Sequence, residues 1–444
     1  MHIQDKPYKG KKYYIRTYGC QMNERDSETI AGILTALGYE GAQSERTADL
    51  IIFNTCCVRE TAERKAYGRL NALKRLKRKN PDLLIGVGGC MAQKDRERVL
   101  STVPHVDFVF GTHNIQELPE ILKEATTARK PVVQLWEEAR GIPELPSLRS
   151  GGVSAYVTIT HGCTNYCSYC IVPYVRGREL SRRPGDIINE VRRLVRQGYG
   201  EITLLGQNVN TYGRDLGEGF TFAQLLRDVN SVDGLRRLRY TTSHPRDFST
   251  DIIEAVRDCD KVCEHFHLPL QAGSNLILKK MNRGYTREGY LRLIEKVRKL
   301  VPANSISTDI IVGFPGETEA DFADTLDMVR RVRFDNAFTF LFSPRSGTPA
   351  ADMPEQVPLG VKKERLNRLM ALQDRISRDI NEKLRGQELE VLVEGSSKRR
   401  KEILTGRTRT NKLVLFAGGE ELKGELVTVR ITRPQTWNLY GELI

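Results

Sequence analysis

Residues 161–170 read HGCTNYCSYC and place Cys163, Cys167 and Cys170 within eight residues of one another. Three thiolates this close can hold one soft metal centre. Structural zinc takes four ligands, and no fourth cysteine or histidine follows at finger spacing. Three cysteines on a four-iron cluster leave one iron without a protein ligand, and that open position is a place for chemistry. The competing reading is three inert thiols in a core. The intervening Thr164, Asn165, Tyr166, Ser168 and Tyr169 are polar or amphipathic and suit a loop better.

Outward from this loop, residues 153–347 alternate strand-like and helix-like runs. VSAYVTIT, EITLLGQN, LRRLRYTT, CEHFHLPL, SISTDIIV and NAFTFLF read as strands, separated by segments such as GDIINEVRRLVRQ and REGYLRLIEKVRKL. Six such units predict a partial (β/α)6 TIM-like barrel core over 149–378, with its site at the carboxyl ends of the strands. The cysteine loop follows the first strand. LLGQNVN, TTSHP, LPLQAGS and DIIVGFPGE follow later ones and line the same mouth.

Upstream, KYYIRTYG, LIIFNT, LLIGVGG and VDFVFG predict an N-terminal parallel α/β sheet domain over 11–127. Cys20, Cys56 and Cys90 fall just past three successive strands, 36 and 34 residues apart. Parallel strands deliver such residues to one edge, where open α/β sheets bind ligands, so a second three-cysteine cluster is expected there. Cys57, beside Cys56, points the other way in an extended chain and is expected to be a bystander. Residues 128–148 are rich in proline and glycine and read as a linker. VKKERLNRLMALQDRISRDINEKL predicts a helix of about six to seven turns. Five short strand-like runs follow and predict a C-terminal small β-barrel over 381–444, an architecture that suits single-stranded nucleic acid. The whole chain is therefore expected to be α/β.

The 444 residues carry a net charge of +13, which points to a polyanionic partner, most simply nucleic acid. Lys398, Arg399, Arg400, Lys401, Arg407, Arg409 and Lys412 share their stretch with one acid, Glu402, and Phe416, Trp437 and Tyr440 lie near. Residues 64–79 hold eight basic residues and no acid, read either as a solvated helix face or as an RNA contact. No apolar run is long enough to span a bilayer and the polar start MHIQDKPYKGKK has no signal-like core, so no membrane partner is expected. Nine cysteines, an odd number without an export signal, fit a cytoplasmic chain with reduced thiols or cluster ligands. Cys259 and Cys263 have no third ligand near and read as packing.

The spacing C-x3-C-x2-C resembles the signature of the radical S-adenosylmethionine enzymes. TYGCQMNERDSE (Thr17 to Glu28), NTCCVRE (Asn54 to Glu60), GGCMAQ (Gly88 to Gln93), HGCTNYCSYCIVPYVRGRE (His161 to Glu179), TTSHP (Thr241 to Pro245) and DIIVGFPGETE (Asp309 to Glu319) resemble the methylthiotransferases of that superfamily over nearly the full length. The resemblance implies two [4Fe-4S] clusters, one on Cys163, Cys167 and Cys170 and one on Cys20, Cys56 and Cys90, and a C-terminal TRAM domain that binds RNA. It implies S-adenosyl-L-methionine as cofactor, cleaved reductively at the open iron to a 5′-deoxyadenosyl radical, with Tyr169 the aromatic neighbour of its adenine. Many superfamily members carry Gly-Gly-Glu after the second barrel strand. Here Gly206, Gln207 and Asn208 stand there, and amide oxygens accept the same hydrogen bonds without a charge. Ser243, Gln271 and Asp309 are further candidates to contact the cofactor, and His244 to contact substrate.

The implied reaction adds a methylthio group at C2 of N6-dimethylallyladenosine next to the anticodon of tRNA, with a separate electron-donor protein and sulfur donor. Two alternatives stand beside it: a methylthiotransferase acting on threonylcarbamoyladenosine in tRNA or on a ribosomal-protein aspartate, and a non-catalytic iron–sulfur RNA-binding redox sensor. TYGCQMN and TTSHP favour the first reading, and the intact set of mouth loops argues against a passive sensor. Cys163→Ala tests the loop directly. Two remaining thiolates hold a cluster poorly, so reductive cleavage of S-adenosylmethionine should vanish; undiminished 5′-deoxyadenosine formation would refute the ligand assignment.

Overall fold

The computed structural model describes residues 6–57, 60–128, 130–149, 151–217, 219–398 and 400–444. The chain divides into two compact units. The first comprises residues 1–150, 160–166 and 170–181, and the second 151–159, 167–169 and 182–444.

The first unit is built on a six-stranded, all-parallel sheet. Its strands run, in spatial order, Glu40–Gly41, Lys12–Thr17, Leu50–Thr55, Leu84–Gly89, Phe108–Phe110 and Val132–Gln134. The central strand LIIFNT is buried at every position, as a strand covered on both faces must be. Its alternate residues serve opposite layers: Ile51 and Phe53 pack with Ile85 and Val87, and Leu50 and Ile52 with Phe108 and Phe110. The glycines of LIGVGG have a packing reason. A β-carbon at Gly86 would fall 2.1 Å from the Phe108 ring, and one at Gly88 2.3 Å from the Phe110 ring. Glycine in a strand costs roughly 0.5–1 kcal/mol, whereas a buried phenylalanine contributes about 1.5–3 kcal/mol, so seating the two rings wins.

The segment read as a linker adds structure to this unit. Val132–Gln134 is an edge strand of the sheet. Further on, the Leu148 amide donates to the Glu28 carbonyl at 2.9 Å. Pro146 lies so close to the helix Gln21–Ala36 that a β-carbon at Gly32 would meet it at 2.5 Å. Proline and glycine content marked a departure from periodicity and carried no information about docking. The basic run 64–79 is two helices, Glu60–Ala72 and Lys74–Lys79, separated at Leu73. Arg69 is paired with Glu45 and Lys77 with Asp107, so the run is partly consumed by the fold. Arg64, Lys65, Lys74, Arg75, Arg78 and Lys79 are exposed.

The second unit begins with six parallel strands in chain order. Ser154–Thr158, Glu201–Leu205 and Arg237–Tyr240 form one sheet, and His265–His267, Ser305–Val312 and Asn336–Leu341 another. A parallel bridge between Leu238 and Val262 joins them, giving the open, partial barrel. Four of the helices outside are started by side chains at their N-caps. Thr221, Ser249, Thr286 and Thr318 each accept a backbone N–H of the first turn, and Thr318 forms a capping box with Asp321. A 24-residue helix, Leu359–Glu382, leads to a closed five-stranded barrel of Glu388–Ser396, Ile403–Thr408, Leu413–Ala417, Leu426–Pro434 and Leu439–Leu443. Val391, Val393, Leu404, Val414, Phe416, Val429, Ile431 and Leu439 fill it.

Arginines under the larger barrel seat the smaller one. Buried Arg237 donates to the Arg407 carbonyl at 2.6 Å, and Arg239 to the carbonyls of Thr408 at 2.7 Å and Arg409 at 3.0 Å. Arg409 in turn pairs with Glu264, Lys412 with Asp335, and Arg407 with Glu394. These pairings change the reading of the basic stretch 398–412. Three of its cations hold ion pairs within the unit, and Lys398, Arg400 and Lys401 are exposed, while Arg399 lies outside the described residues. Of the aromatics, Phe416 is core and Trp437 is 61 % exposed. Arg239 also donates to Glu201 at 2.6 Å. Arg239→Met should leave that carboxylate buried without its partner at a cost of about 3–5 kcal/mol, measured as a lower melting temperature. An unchanged melting temperature would show the pair to be dispensable.

Candidate functional site

The sheet of the first unit ends level. Thr17 is in register with Asn54, and Thr55 with Gly89, so the next residues of three strands emerge at one edge. Cys20 stands there as the N-cap of the helix Gln21–Ala36, Cys56 follows Thr55, and Cys90 opens the helix Cys90–Asp95. Buried amides brace the edge. The Asn23 Nδ2 donates to Asn54 Oδ1 and to the Thr55 carbonyl, both at 3.2 Å; Asn54 Nδ2 donates to the Asn23 carbonyl at 2.8 Å; the Cys20 thiol lies 3.5 Å from Asn23 Oδ1. Gly89 has φ +88°, and a β-carbon there would lie 2.4 Å from the Thr55 carbonyl oxygen, so only glycine delivers Cys90 to this position.

Two neighbours of Cys90 lie within the motifs given above, which assign them no role at this sulfur. Cys57 points into the packed layer that Cys90 also lines, and its thiol hydrogen-bonds Cys90. Cys57 thus turns away from Cys56, as extended-chain alternation expects, and meets Cys90 from the apolar side. The bond pushes Cys57 well above the ordinary thiol range, with burial adding to it. The same bond, together with Arg176, holds Cys90 down to about 6 against the opposing effect of burial. Arg176 donates Nε to Cys90 Sγ at 3.3 Å and Nη2 to Asp26 at 2.7 Å, and its Nη1 is buried without a partner. A thiol of lowered pKa beside a cation is held as the thiolate, the form that binds iron. His113 and His161 meet edge to face at 5.8 Å; burial first and Arg176 second push His113 down to about 4 and His161 well below its ordinary value, keeping both rings neutral. Among the described residues, no three His, Cys, Asp or Glu side chains converge as a single-ion site.

The radical-type loop is shaped by its backbone. Thr160–His161 pairs antiparallel with Leu180–Ser181, and the Cys163 amide donates to the Gly177 carbonyl at 3.0 Å. Gly162, at φ +75°, would put a β-carbon 2.1 Å from the Arg178 carbonyl oxygen. Cys163 and Cys167 are buried and Cys170 half-buried. Within the second unit, Ser168 is pinned by its amide to the Met281 carbonyl at 3.1 Å and by Oγ to the Lys280 carbonyl at 2.8 Å. Arg283, fully enclosed, donates to Cys167 Sγ at 3.3 Å and to Tyr169 OH at 3.4 Å. Sequence reasoning missed Arg176 and Arg283 alike, because an isolated arginine in a basic chain is unremarked.

Past the strand ends of the larger barrel stand buried polar atoms without partners: Asn208 Oδ1, Ser243 Oγ, His244 Nε2 and Gln271 Oε1. Each unmade hydrogen bond there costs about 1–3 kcal/mol, so the mouth is built for a polar ligand. Thr242 and Gln271 both hold φ +67°, a left-handed conformation rare outside glycine and common at ligand sites. Gly206 is buried and Gln207 half-buried after the strand Glu201–Leu205. Asp309 is half-exposed, its carboxylate 3.4 Å from His267. His244 is pushed far down by burial, with Arg283 and Arg246 adding to the shift. Cys259 and Cys263 are buried, and burial raises both thiols.

Residues 12–111 match the family described as uncharacterized protein family UPF0004, residues 157–329 the Radical SAM superfamily, and residues 382–444 the TRAM domain. A tRNA-2-methylthio-N(6)-dimethylallyladenosine synthase of Moorella thermoacetica is 57 % identical over 98 % of this chain and 98 % of its own. The chain belongs to that synthase family. The synthase of Carboxydothermus hydrogenoformans is 56 % identical over 98 % of this chain and 99 % of its own. Among solved structures, the radical S-adenosylmethionine methyltransferase TsrM of Kitasatospora setae superposes with TM-score 0.57 at 15 % identity, covering 77 % of each chain, which shows a shared fold. The family expected from the motifs is the one found. Radical SAM membership carries with it S-adenosylmethionine and a four-iron cluster. Asn208, Ser243 and Gln271, with their unmatched polar atoms at the strand ends, fit such a cofactor.

Proposed function

We propose that this chain adds a methylthio group at C2 of N6-dimethylallyladenosine next to the anticodon of tRNA, using two four-iron clusters. The observation that supports it most is the gathering of Cys20, Cys56 and Cys90 at one edge of a parallel sheet, in a chain that also carries the C-x3-C-x2-C loop. One cluster on Cys163, Cys167 and Cys170 suffices for radical formation. A second three-thiolate site with its own open iron gives a separate place for sulfur, which the reaction must also deliver. The relatives' name states the product, and identity over nearly the whole of both chains brings it to this one.

When bound at the loop cluster, S-adenosylmethionine supplies, on one-electron reduction, a radical strong enough to break an inert aromatic C–H bond. The protein's own residues position and enclose. Asn208, Ser243 and Gln271 offer hydrogen bonds to the cofactor, with Gly206 and Gln207 beside them, Tyr169 near its adenine and Asp309 at the rim. His244, neutral and buried, offers Nε2 toward the mouth. Arg283 neutralises the Cys167 side of the loop. The small barrel, with Lys398, Arg400 and Lys401 exposed, holds tRNA through its phosphates, whose contacts position without reading sequence. An electron-donor protein and a sulfur donor of the cytoplasm complete the cycle. Among the described residues no helix is long and apolar enough to cross a membrane.

Two variants separate these roles. Cys20→Ala should abolish the methylthio nucleoside while S-adenosylmethionine cleavage persists, both followed by mass spectrometry; product formed at wild-type levels would remove the N-terminal site from the reaction. Ser243→Ala removes a buried hydroxyl that has no partner in the protein. It should leave the melting temperature unchanged or raised and weaken S-adenosylmethionine binding by about 1–3 kcal/mol, read by calorimetry. Unaltered binding would place the cofactor elsewhere in the mouth.

A further inference from the structure

Arg176 is among the largest fully buried side chains of the protein. It ends the short helix Val172–Arg176, which begins two residues after Cys170. Thr112 Oγ1 holds this helix by donating to the Val175 carbonyl at 2.6 Å, and Ile171 and Val175 pack in the apolar layer beside Cys57, Cys90 and Met91. The guanidinium is therefore delivered into the edge of the sheet by a rigid support. A buried cation is tolerated only with anions around it. One is Asp26, at 2.7 Å from Nη2. The second contact is the Cys90 sulfur at 3.3 Å from Nε, and Nη1 is buried with no acceptor in the protein. The arginine beside the other cysteine trio is different. Arg283 also lies 3.3 Å from a cysteine sulfur, but its Nη2 reaches the Pro269 carbonyl and its Nε the Tyr285 hydroxyl, both at 3.2 Å. Arg176 alone of the two keeps an uncommitted N–H at its thiols.

We propose that Arg176 is a positioning residue that sets how readily the cluster on Cys20, Cys56 and Cys90 accepts an electron, with Asp26 opposing it; this rests on the reading that these cysteines hold a cluster. Uptake of one electron adds one negative charge to the cluster and its thiolates. A cation in a low-dielectric site favours that reduced form, and a carboxylate disfavours it. Hydrogen bonds to cluster sulfurs act in the same direction as the cation. Neutralising either partner of the pair must therefore move the midpoint, and the two variants must move it in opposite directions. A pair that serves only to hold the fold predicts no such opposition.

The test uses the full chain with Cys163→Ala, Cys167→Ala and Cys170→Ala, reconstituted anaerobically so that the N-terminal cluster is observed alone. Its reduced fraction is followed by electron paramagnetic resonance against dithionite with redox mediators. Asp26→Asn should raise the ratio of reduced to oxidised cluster at fixed poise by about tenfold, equivalent to about 59 mV for one electron. Arg176→Met should lower it by a similar factor, and Arg176→Lys, which keeps the charge, should lie close to the parent. Asp26→Asn leaves the buried cation in place and carries the test even where Arg176→Met does not fold. Coincident midpoints for Asp26→Asn and the parent, or shifts of one sign in Asp26→Asn and Arg176→Met, would overturn the proposal and leave a structural ion pair. Absence of any cluster in the parent, with Arg176 intact, would overturn the underlying cluster reading as well, and is distinguished by iron content before any titration.

Discussion

In a parallel sheet every strand hands its next residue to the same edge, and both units of this protein are organised by that constraint. In the first it collects Cys20, Cys56 and Cys90 from segments more than thirty residues apart in the chain. In the second it sets Asn208, Ser243 and Gln271 around one mouth, each with a buried polar atom that no protein group satisfies. The two glycine-dependent turns, at Gly89 and Gly162, then aim the sulfurs; a side chain at either would strike a backbone carbonyl at 2.4 or 2.1 Å. Nothing in this arrangement requires a specialised fold. It requires strands of one direction and small residues where the chain turns.

Much of this was legible because periodicity is a local signal. The alternation in LIIFNT, the spacing of KYYIRT and LIGVGG, and the strand runs of the barrel each reflect burial on a pleated surface, and the strands lie where those runs are. The three loop cysteines were legible for a chemical reason, since their crowding suits a metal better than a core. The less regular features escaped. The segment after Ala128 looked like a linker because proline and glycine suppress periodicity, yet Val132–Gln134 adds to the sheet through backbone hydrogen bonds that leave no mark in side-chain pattern. Alternation turns Cys57 away from Cys56 but describes direction and not distance; Cys90 reaches the same layer from a neighbouring strand.

Charge was the least readable property. The cations clustered across 398–412 are not one free patch: Arg407, Arg409 and Lys412 are paired with Glu394, Glu264 and Asp335. The converse holds for Arg176, near the end of the cysteine-loop motif, and Arg283, whose own stretch has no such motif: both prove to be enclosed beside cysteine sulfurs. Net charge states how many cations a chain has. Whether a given one faces solvent, a carboxylate or a thiolate is decided by tertiary contacts, and two of the buried arginines, Arg176 and Arg283, stand beside the expected cluster cysteines.

The central claim is that one chain holds two four-iron clusters, each on three cysteines. Mössbauer spectroscopy of the wild-type protein reconstituted with iron-57, combined with iron and sulfide analysis, tests it most directly. The account predicts about eight irons per chain, all in four-iron clusters. About four irons per chain in a single cluster type, with Cys20, Cys56 and Cys90 still open to alkylation under anaerobic conditions, would contradict it.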